Sequence, residues 1–243
     1  LWTREDDIRQ GFCHPATKTR LQAGFDDTGI RCLIQRAACL SAHPEATQVG
    51  MTNSRYEIPA VSFETLREDE NWGIRTGSYR SVGANHNAFT QECFLDEIAH
   101  AMNRDPYQLR RELLTGQPRM RQVLDQAVKR AAWAKPRPAN VGLGLAIHTK
   151  TSSPDRNLKS HVACVARVRA DNGRLEVERL TVVLDCGLAV NPKLVEAQVE
   201  SAVAFSLTNY LKSRMSFEQG RVVQGNFDDY PVLRMHEMPE LDI

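Results

Sequence analysis

The period of the apolar positions changes along the chain, and each change marks an expected element. Near the start the period is two. Leu21, Ala23 and Phe25 alternate with polar neighbours, Asp26-Asp27-Thr28-Gly29 supplies turn chemistry, and Ile30, Cys32 and Ile34 resume the alternation, which predicts a β-hairpin. Residues 41–59 are polar and punctuated by proline, which predicts a long surface excursion. From Asn87 the period becomes helical: Phe94, Ile98, Ala101 and Met102 share a stripe, and Glu92, Glu97 and Arg104 are assigned to a wetter face. Asp105-Pro106 offers an N-cap and a first-turn proline to a second helix with Leu109, Leu113 and Leu114, ending at Gly116. Pro118 opens a third, with Met120, Val123, Leu124, Ala127, Val128 and Ala131 at amphipathic spacing.

Lys135-Pro136-Arg137-Pro138 reads as a stiff linker, after which β structure returns. A strand near 161–170, a turn at Asp171-Asn172-Gly173 and a strand near 175–185 predict a second hairpin. Asn191-Pro192 then caps and starts a helix carrying Leu194, Val195, Gln198, Ala202, Phe205 and Tyr210, and Gly220 marks a last hairpin. Helices grouped between β blocks, without a βαβ rhythm, predict an α+β fold rather than a doubly wound sheet.

Composition narrows the function classes. The 243 residues carry 31 basic and 30 acidic side chains, a net charge of +1, so the total shows no electrostatic footprint for a nucleic acid or an anionic membrane. No apolar run approaches the ~20 residues of a membrane span; the stretch from Leu180 to Val190 is broken by Asp185. The six cysteines, at 13, 32, 39, 93, 164 and 186, are too widely spaced for a Cys-x-x-Cys motif and read as small buried hydrophobes. The histidines are scattered, so a protein-ligated metal is not expected. The chain starts without methionine and stops at Leu241-Asp242-Ile243 as if entering a strand, so it reads as a piece of something longer, and neither periplasm nor cytoplasm can be assigned.

Two stretches carry candidate chemistry. In Gly77-Ser78-Tyr79-Arg80-Ser81-Val82-Gly83, glycines flank a Tyr-Arg pair just before a helix start rich in amides, which would hold a guanidinium beside backbone donors, a place for an anion or a developing negative charge. Taken alone, an arginine bracing a turn is the commoner arrangement. In Asp185-Cys186-Gly187 a strand ends in a glycine turn and launches the helix at Asn191-Pro192, placing Gln198 and Glu200 one to three turns in; a surface glutamine is the plainer account of Gln198. Gly142-Leu143-Gly144 reads as a close backbone approach in a strand, and Glu5-Asp6-Asp7 as a solvated turn.

Taken in order, these stretches resemble the molybdenum hydroxylases of the xanthine oxidase and aldehyde oxidase family, in particular large subunits of the isoquinoline 1-oxidoreductase type. The resemblance runs through Trp2-Thr3-Arg4-Glu5-Asp6-Asp7, Tyr79-Arg80-Ser81-Val82-Gly83, Asn87-Ala88-Phe89, Glu92, Phe94-Leu95-Asp96-Glu97, Asp105-Pro106 and Arg110-Arg111. It continues through Asp185-Cys186-Gly187, Asn191-Pro192, Gln198, Asn226-Phe227-Asp228-Asp229-Tyr230 and Met238-Pro239-Glu240. It implies molybdenum held by molybdopterin, commonly in the cytosine dinucleotide form, between two elongated α+β domains, here divided as residues 1–116 and 117–243. It implies oxidative hydroxylation of an N-heterocycle or an aldehyde with water as the oxygen source, and electron transfer to a small subunit with two [2Fe–2S] clusters, with a cytochrome c as a further acceptor in exported relatives. Arg80 matches the arginine facing substrate, Gln198 matches the glutamine that hydrogen-bonds the pterin, and Gly83 is the second residue expected to bind the cofactor.

The resemblance also implies a Gly-Gly-Phe-Gly loop before Leu1 and a Gly-Val-Gly-Glu-Pro segment with the general-base glutamate after Ile243, so this chain alone is expected to be inactive. Ser201, Ala202 and Ser206 stand where relatives carry glycine, and Thr149 to Ser160 departs from an expected short turn. These departures motivate the rival of a non-catalytic homologue acting as a scaffold or partner-binding subunit. A nicotinamide-dependent aldehyde dehydrogenase is disfavoured because no dinucleotide fingerprint is present.

Overall fold

The computed structural model describes residues 1–39, 48–52, 55–67, 73–153 and 158–243. The first hairpin forms as the alternation predicts: β1 (Thr17–Asp26) and β2 (Gly29–Cys39) pair antiparallel around the Asp26–Gly29 turn. β3 (Ala60–Arg67), which the hydrophobic pattern does not predict, adds in parallel on the far side of β2. Residues 41–47 and 53–54 of the expected surface excursion lie outside the described residues. Its described part is not all surface, since Met51 is fully buried and Ile58 belongs to the core. The acidic run at Glu5 opens α1 (Arg4–Gln10) rather than a turn, with Thr3 and Asp6 forming a reciprocal capping box.

Three helices in series follow: α2 (Ala84–Ala101), α3 (Pro106–Glu112) and α4 (Pro118–Arg130). Asp105 caps α3 by accepting the Tyr107 and Gln108 N–H groups, with Pro106 at the first turn. On α4 the buried residues are Met120, Val123, Leu124, Ala127 and Val128, as its spacing predicts. On α2 the buried face is rotated from the predicted stripe: Leu95, Ile98 and Ala99 are buried, and so are Asn87, Gln91 and Glu92. Glu92, assigned to the wetter face, is only 5% exposed. Buried polar groups of this kind persist only when hydrogen-bonded, and these are. Gln91 donates to Gln35 and to the Met51 carbonyl, Gln35 donates to Asn87, and Asn87 donates to the Val49 carbonyl.

The second sheet has the order β4-β5-β6-β9, from β4 (Val141–Ser153), β5 (Leu158–Asp171), β6 (Arg174–Asp185) and the short β9 (Glu240–Asp242), which pairs in parallel with β6. Asn172 and Gly173, at φ +49° and +76°, make the tight turn between β5 and β6. Gln219 and Gly220 do the same for the hairpin β7 (Phe217–Glu218) and β8 (Arg221–Val222). Helix α5 (Pro192–Leu211) is capped by Asn191, whose side chain accepts the Leu194 N–H. Side chains alternate across the sheet. Ala163 and Val165 meet α4, whereas Val162, Cys164, Leu180 and Val182 meet Val199 and Val203 of α5. Gly142 and Gly144 lie in β4, but a Cβ at either meets nothing within 4 Å among the described residues, so the expected close approach is absent. Pro154 to Asn157, within the departing segment at Thr149 to Ser160, lie outside the described residues.

The architecture is α+β, with two mixed sheets and the helices packed on them. No helix of the described residues is long and apolar enough to cross a membrane.

Candidate functional site

The Tyr79–Gly83 bend is built around unusual backbone. The Tyr79 carbonyl accepts the Val82 N–H at 2.8 Å, while Ser81 and Val82 sit at φ +77° and +54°. Two successive non-glycine residues in the left-handed region, one of them β-branched, store strain of about 1–3 kcal/mol each. Surrounding contacts must hold such a bend in place. Gly83, at φ −65°, is buried and serves as the N-cap of α2 without using glycine's conformational freedom.

The contacts come from α5. Arg80 Nη1 donates to Ser201 Oγ at 2.9 Å, and Nη2 donates to Gln198 Oε1 at 3.3 Å and to the Gln198 carbonyl at 3.4 Å. The guanidinium carbon lies 5.5 Å from the centre of the Phe205 ring. Next to it, Tyr79 donates its hydroxyl proton to Asn209 Oδ1, and Tyr210 donates to Asn85 Oδ1 while stacking on Phe89. The structure therefore brings Arg80 and Gln198 into direct contact although they are 118 positions apart in sequence. Among the described residues the partners of Arg80 are a hydroxyl, an amide and a ring, and none is a carboxylate.

Sequence reasoning did not single out His14 and His86, which stand behind this bend. Their rings meet edge to face at 5.5 Å, and His14 in turn meets Tyr79. Both His86 ring nitrogens are shielded from solvent and have no hydrogen-bond partner among the described residues, and burial, reinforced by His14, lowers its pKa. Phe205 and Asn209 were not read as site residues either. Their signal was available in the spacing 198, 201, 205, 209, which places four side chains on one face of α5.

The second candidate stretch has a supporting role. Arg119 of α4 grips Asp185 through Nε and Nη2 at 2.8 and 2.7 Å, and Asp185 Oδ1 also accepts the Gly187 N–H at 2.9 Å, where Gly187 turns at φ +77°. This fixes the strand end from which α5 departs. The Arg119 hydrogen bond, joined by the Gly187 N–H, lowers the Asp185 pKa to about 2. A carboxylate depressed on folding adds stability above its unfolded pKa of about 3.9, and that stability is lost as pH falls towards 2. Asp185→Asn is thus expected to flatten the acid limb of stability between about pH 4 and pH 2, by no more than about 1 kcal/mol because the pair faces solvent. Denaturant midpoints measured across that range would check it; an unchanged limb would contradict it. Cys186 is half-buried and Glu200 exposed, and the structure brings neither to Arg80. Among the described residues no group of three or more His, Cys, Asp or Glu side chains could hold a metal ion.

Two models of a molybdopterin cofactor-binding domain match the chain, one over residues 1–114 and the other over residues 95–239. A membrane-bound aldehyde dehydrogenase of Gluconacetobacter polyoxogenes, whose name carries pyrroloquinoline quinone, is 34% identical over 77% of this chain and 26% of its own length. Isoquinoline 1-oxidoreductase subunit beta of Brevundimonas diminuta is 28% identical over 100% of this chain and 32% of its own. Among solved structures, quinoline 2-oxidoreductase from Pseudomonas putida 86 superposes with a TM-score of 0.82 at 12% identity, covering 100% of this chain and 56% of that one. The aldehyde oxidoreductase of Desulfovibrio gigas gives a TM-score of 0.79 at 12% identity, with 44% of its length covered. The chain spans about a third or less of these curated relatives and about half of these solved ones. With one molybdopterin-binding model on each half and the arginine bend of the first half seated on the glutamine helix of the second, the chain belongs to the molybdopterin-binding domains of the xanthine oxidase and aldehyde oxidase family.

Proposed function

We propose that this chain forms the Arg80–Gln198 side of the molybdopterin site in a molybdenum hydroxylase large subunit, which oxidatively hydroxylates an N-heterocycle or an aldehyde and passes electrons to a [2Fe–2S] partner subunit. The observation that carries the reading is the convergence of Arg80 and Gln198 across the two matched halves. The donor set fits the group: a pterin ring edge needs an amide, which Gln198 supplies, and Arg80, with no carboxylate partner among the described residues, leaves its charge for the substrate beside it. The quinone in the name of the Gluconacetobacter relative is not carried over, because both family models describe molybdopterin.

When bound, the molybdenum–pterin group supplies the redox chemistry, and the protein supplies placement and electrostatics. Gln198, whose Oε1 already accepts from Arg80, keeps its NH₂ for an acceptor on the pterin. Arg80 places a fixed positive charge where negative charge grows on the substrate. Gly83, the N-cap of α2 beside the arginine bend, is the second cofactor-binding residue of this reading. The cytosine dinucleotide form, the cytochrome c acceptor and a boundary near Gly116 between residues 1–116 and 117–243 are part of the same reading.

Metal analysis of the enzyme tests it. One molybdenum per large subunit is expected, and Gln198→Ala should lower molybdenum and pterin retention about tenfold through loss of a hydrogen bond to the ligand. Protein free of molybdenum would overturn the reading and leave a scaffold or partner-binding role.

A further inference from the structure

Arg80 is exposed, and an exposed arginine ordinarily samples many rotamers in water. Here it does not hang free. Its planar fork meets two acceptors on α5, the Ser201 hydroxyl at 2.9 Å and the Gln198 side chain at 3.3 Å, and the Phe205 ring lies against it. These residues follow the spacing i, i+3, i+7, and Asn209 extends the row to i+11, where it holds the neighbouring Tyr79. Serine is a weak choice for the middle of a helix, where its hydroxyl competes with the backbone. At 201 that hydroxyl has a partner outside the helix. The strained bend at Ser81 and Val82 aims Arg80 at this row, and the row in turn braces the bend.

We infer that Ser201 is a positioning residue for Arg80: its hydroxyl fixes one arm of the guanidinium, Gln198 fixes the other, and Phe205 fixes the plane. The consequence for turnover rests on the functional reading above, whereas the positioning rests on the contacts alone. Charge stabilisation depends on a donor held in place before the reaction, so a guanidinium released from Ser201 keeps its charge but loses its aim.

The test uses Ser201→Ala, which removes the hydroxyl and keeps a strong helix former, and Ser201→Thr, which restores the hydroxyl. Arginine modification by phenylglyoxal, followed by peptide mass spectrometry on the full chain, reads the freedom of each guanidinium without any cofactor. Ser201→Ala is expected to raise the labelling rate at Arg80 about three- to tenfold, with Ser201→Thr returning it to the starting value. Labelling at the fully buried Arg110 must stay unchanged, which excludes general loosening. In the cofactor-loaded enzyme the same alanine variant should lower kcat/KM about three- to tenfold, mostly through kcat, with rescue by threonine. Unchanged labelling of Arg80 would overturn the positioning role. Faster labelling with unchanged turnover would uphold it and instead overturn the placement of Arg80 at the reacting centre.

Discussion

Arg110→Ala is expected to cost about 3–5 kcal/mol of folding stability, the largest loss from truncating any single charged side chain among the described residues. Arg110 is completely buried and makes four hydrogen bonds: Nε to Glu92 Oε2 at 2.9 Å, Nη2 to the Glu92 carbonyl at 2.8 Å, and Nη1 to Asp96 at 2.6 Å and to the Pro106 carbonyl at 3.2 Å. Glu92 in turn accepts the Tyr56 hydroxyl at 2.8 Å and the Ile147 N–H at 3.0 Å. Because β4 is an edge strand of its sheet among the described residues, that last bond satisfies an outward N–H that would otherwise be an open pairing site. One ion pair thus ties α2, α3, the Tyr56 segment and the second sheet together.

Burial pushes the Glu92 carboxyl up, and Arg110 opposes it; the neighbouring carboxylates keep Arg110 above its ordinary value despite its own burial. Removing the cation takes away the largest offset to the desolvation of Glu92 and leaves only the Ile147 and Tyr56 hydrogen bonds to support a buried acid. The double variant Glu92→Gln with Arg110→Met should therefore lose clearly less than Arg110→Ala, since the amide oxygen can still accept from Ile147, the amide NH₂ can donate to the Tyr56 oxygen, and no lone buried charge remains. Guanidinium denaturation of the parent and both variants measures this. A loss below about 1 kcal/mol for Arg110→Ala would show that the pair does not hold the sheets together.

The same network marks the limit of what the sequence reveals. The α4 stripe is legible because its buried residues are all apolar and contact their neighbours directly, so periodicity alone finds them. The α2 face is not, because much of it is Asn87, Gln91 and Glu92, which a hydropathy reading sends to solvent. Their partners, Gln35, the Val49 and Met51 carbonyls, Tyr56 and Arg110, come from other elements, and no local window contains them. Strand β3 is invisible for a related reason: its parallel pairing with β2 places no turn signal beside it. Arg80 and Gln198 were legible only through ordered resemblance, since each alone has an ordinary surface explanation. What brings them together is the strained bend and the 198-201-205-209 row, the first set by backbone angles and the second by helical spacing.

That convergence sets the second large effect. Arg80→Ala in the cofactor-loaded enzyme is expected to lower kcat/KM by about 10²-fold, the size of loss seen when one preorganised donor to developing charge is removed. The loss should fall on kcat, because negative charge on the substrate is greatest in the transition state and the bound ground state gains little from the guanidinium. Arg80→Lys separates charge from geometry. An ammonium keeps the positive charge but is a point donor without a planar fork, so it cannot meet Ser201 and Gln198 at once with its charge held in one plane. Lysine should therefore recover only part of the lost rate, and the part it fails to recover measures what the fixed orientation contributes. Steady-state kinetics on an N-heterocycle and on an aldehyde would provide both numbers, with molybdenum content confirming equal loading. If Arg80→Ala turns over at the parent rate with molybdenum in place, Arg80 serves only to clasp its bend to α5, and the charge stabilisation must come from another group.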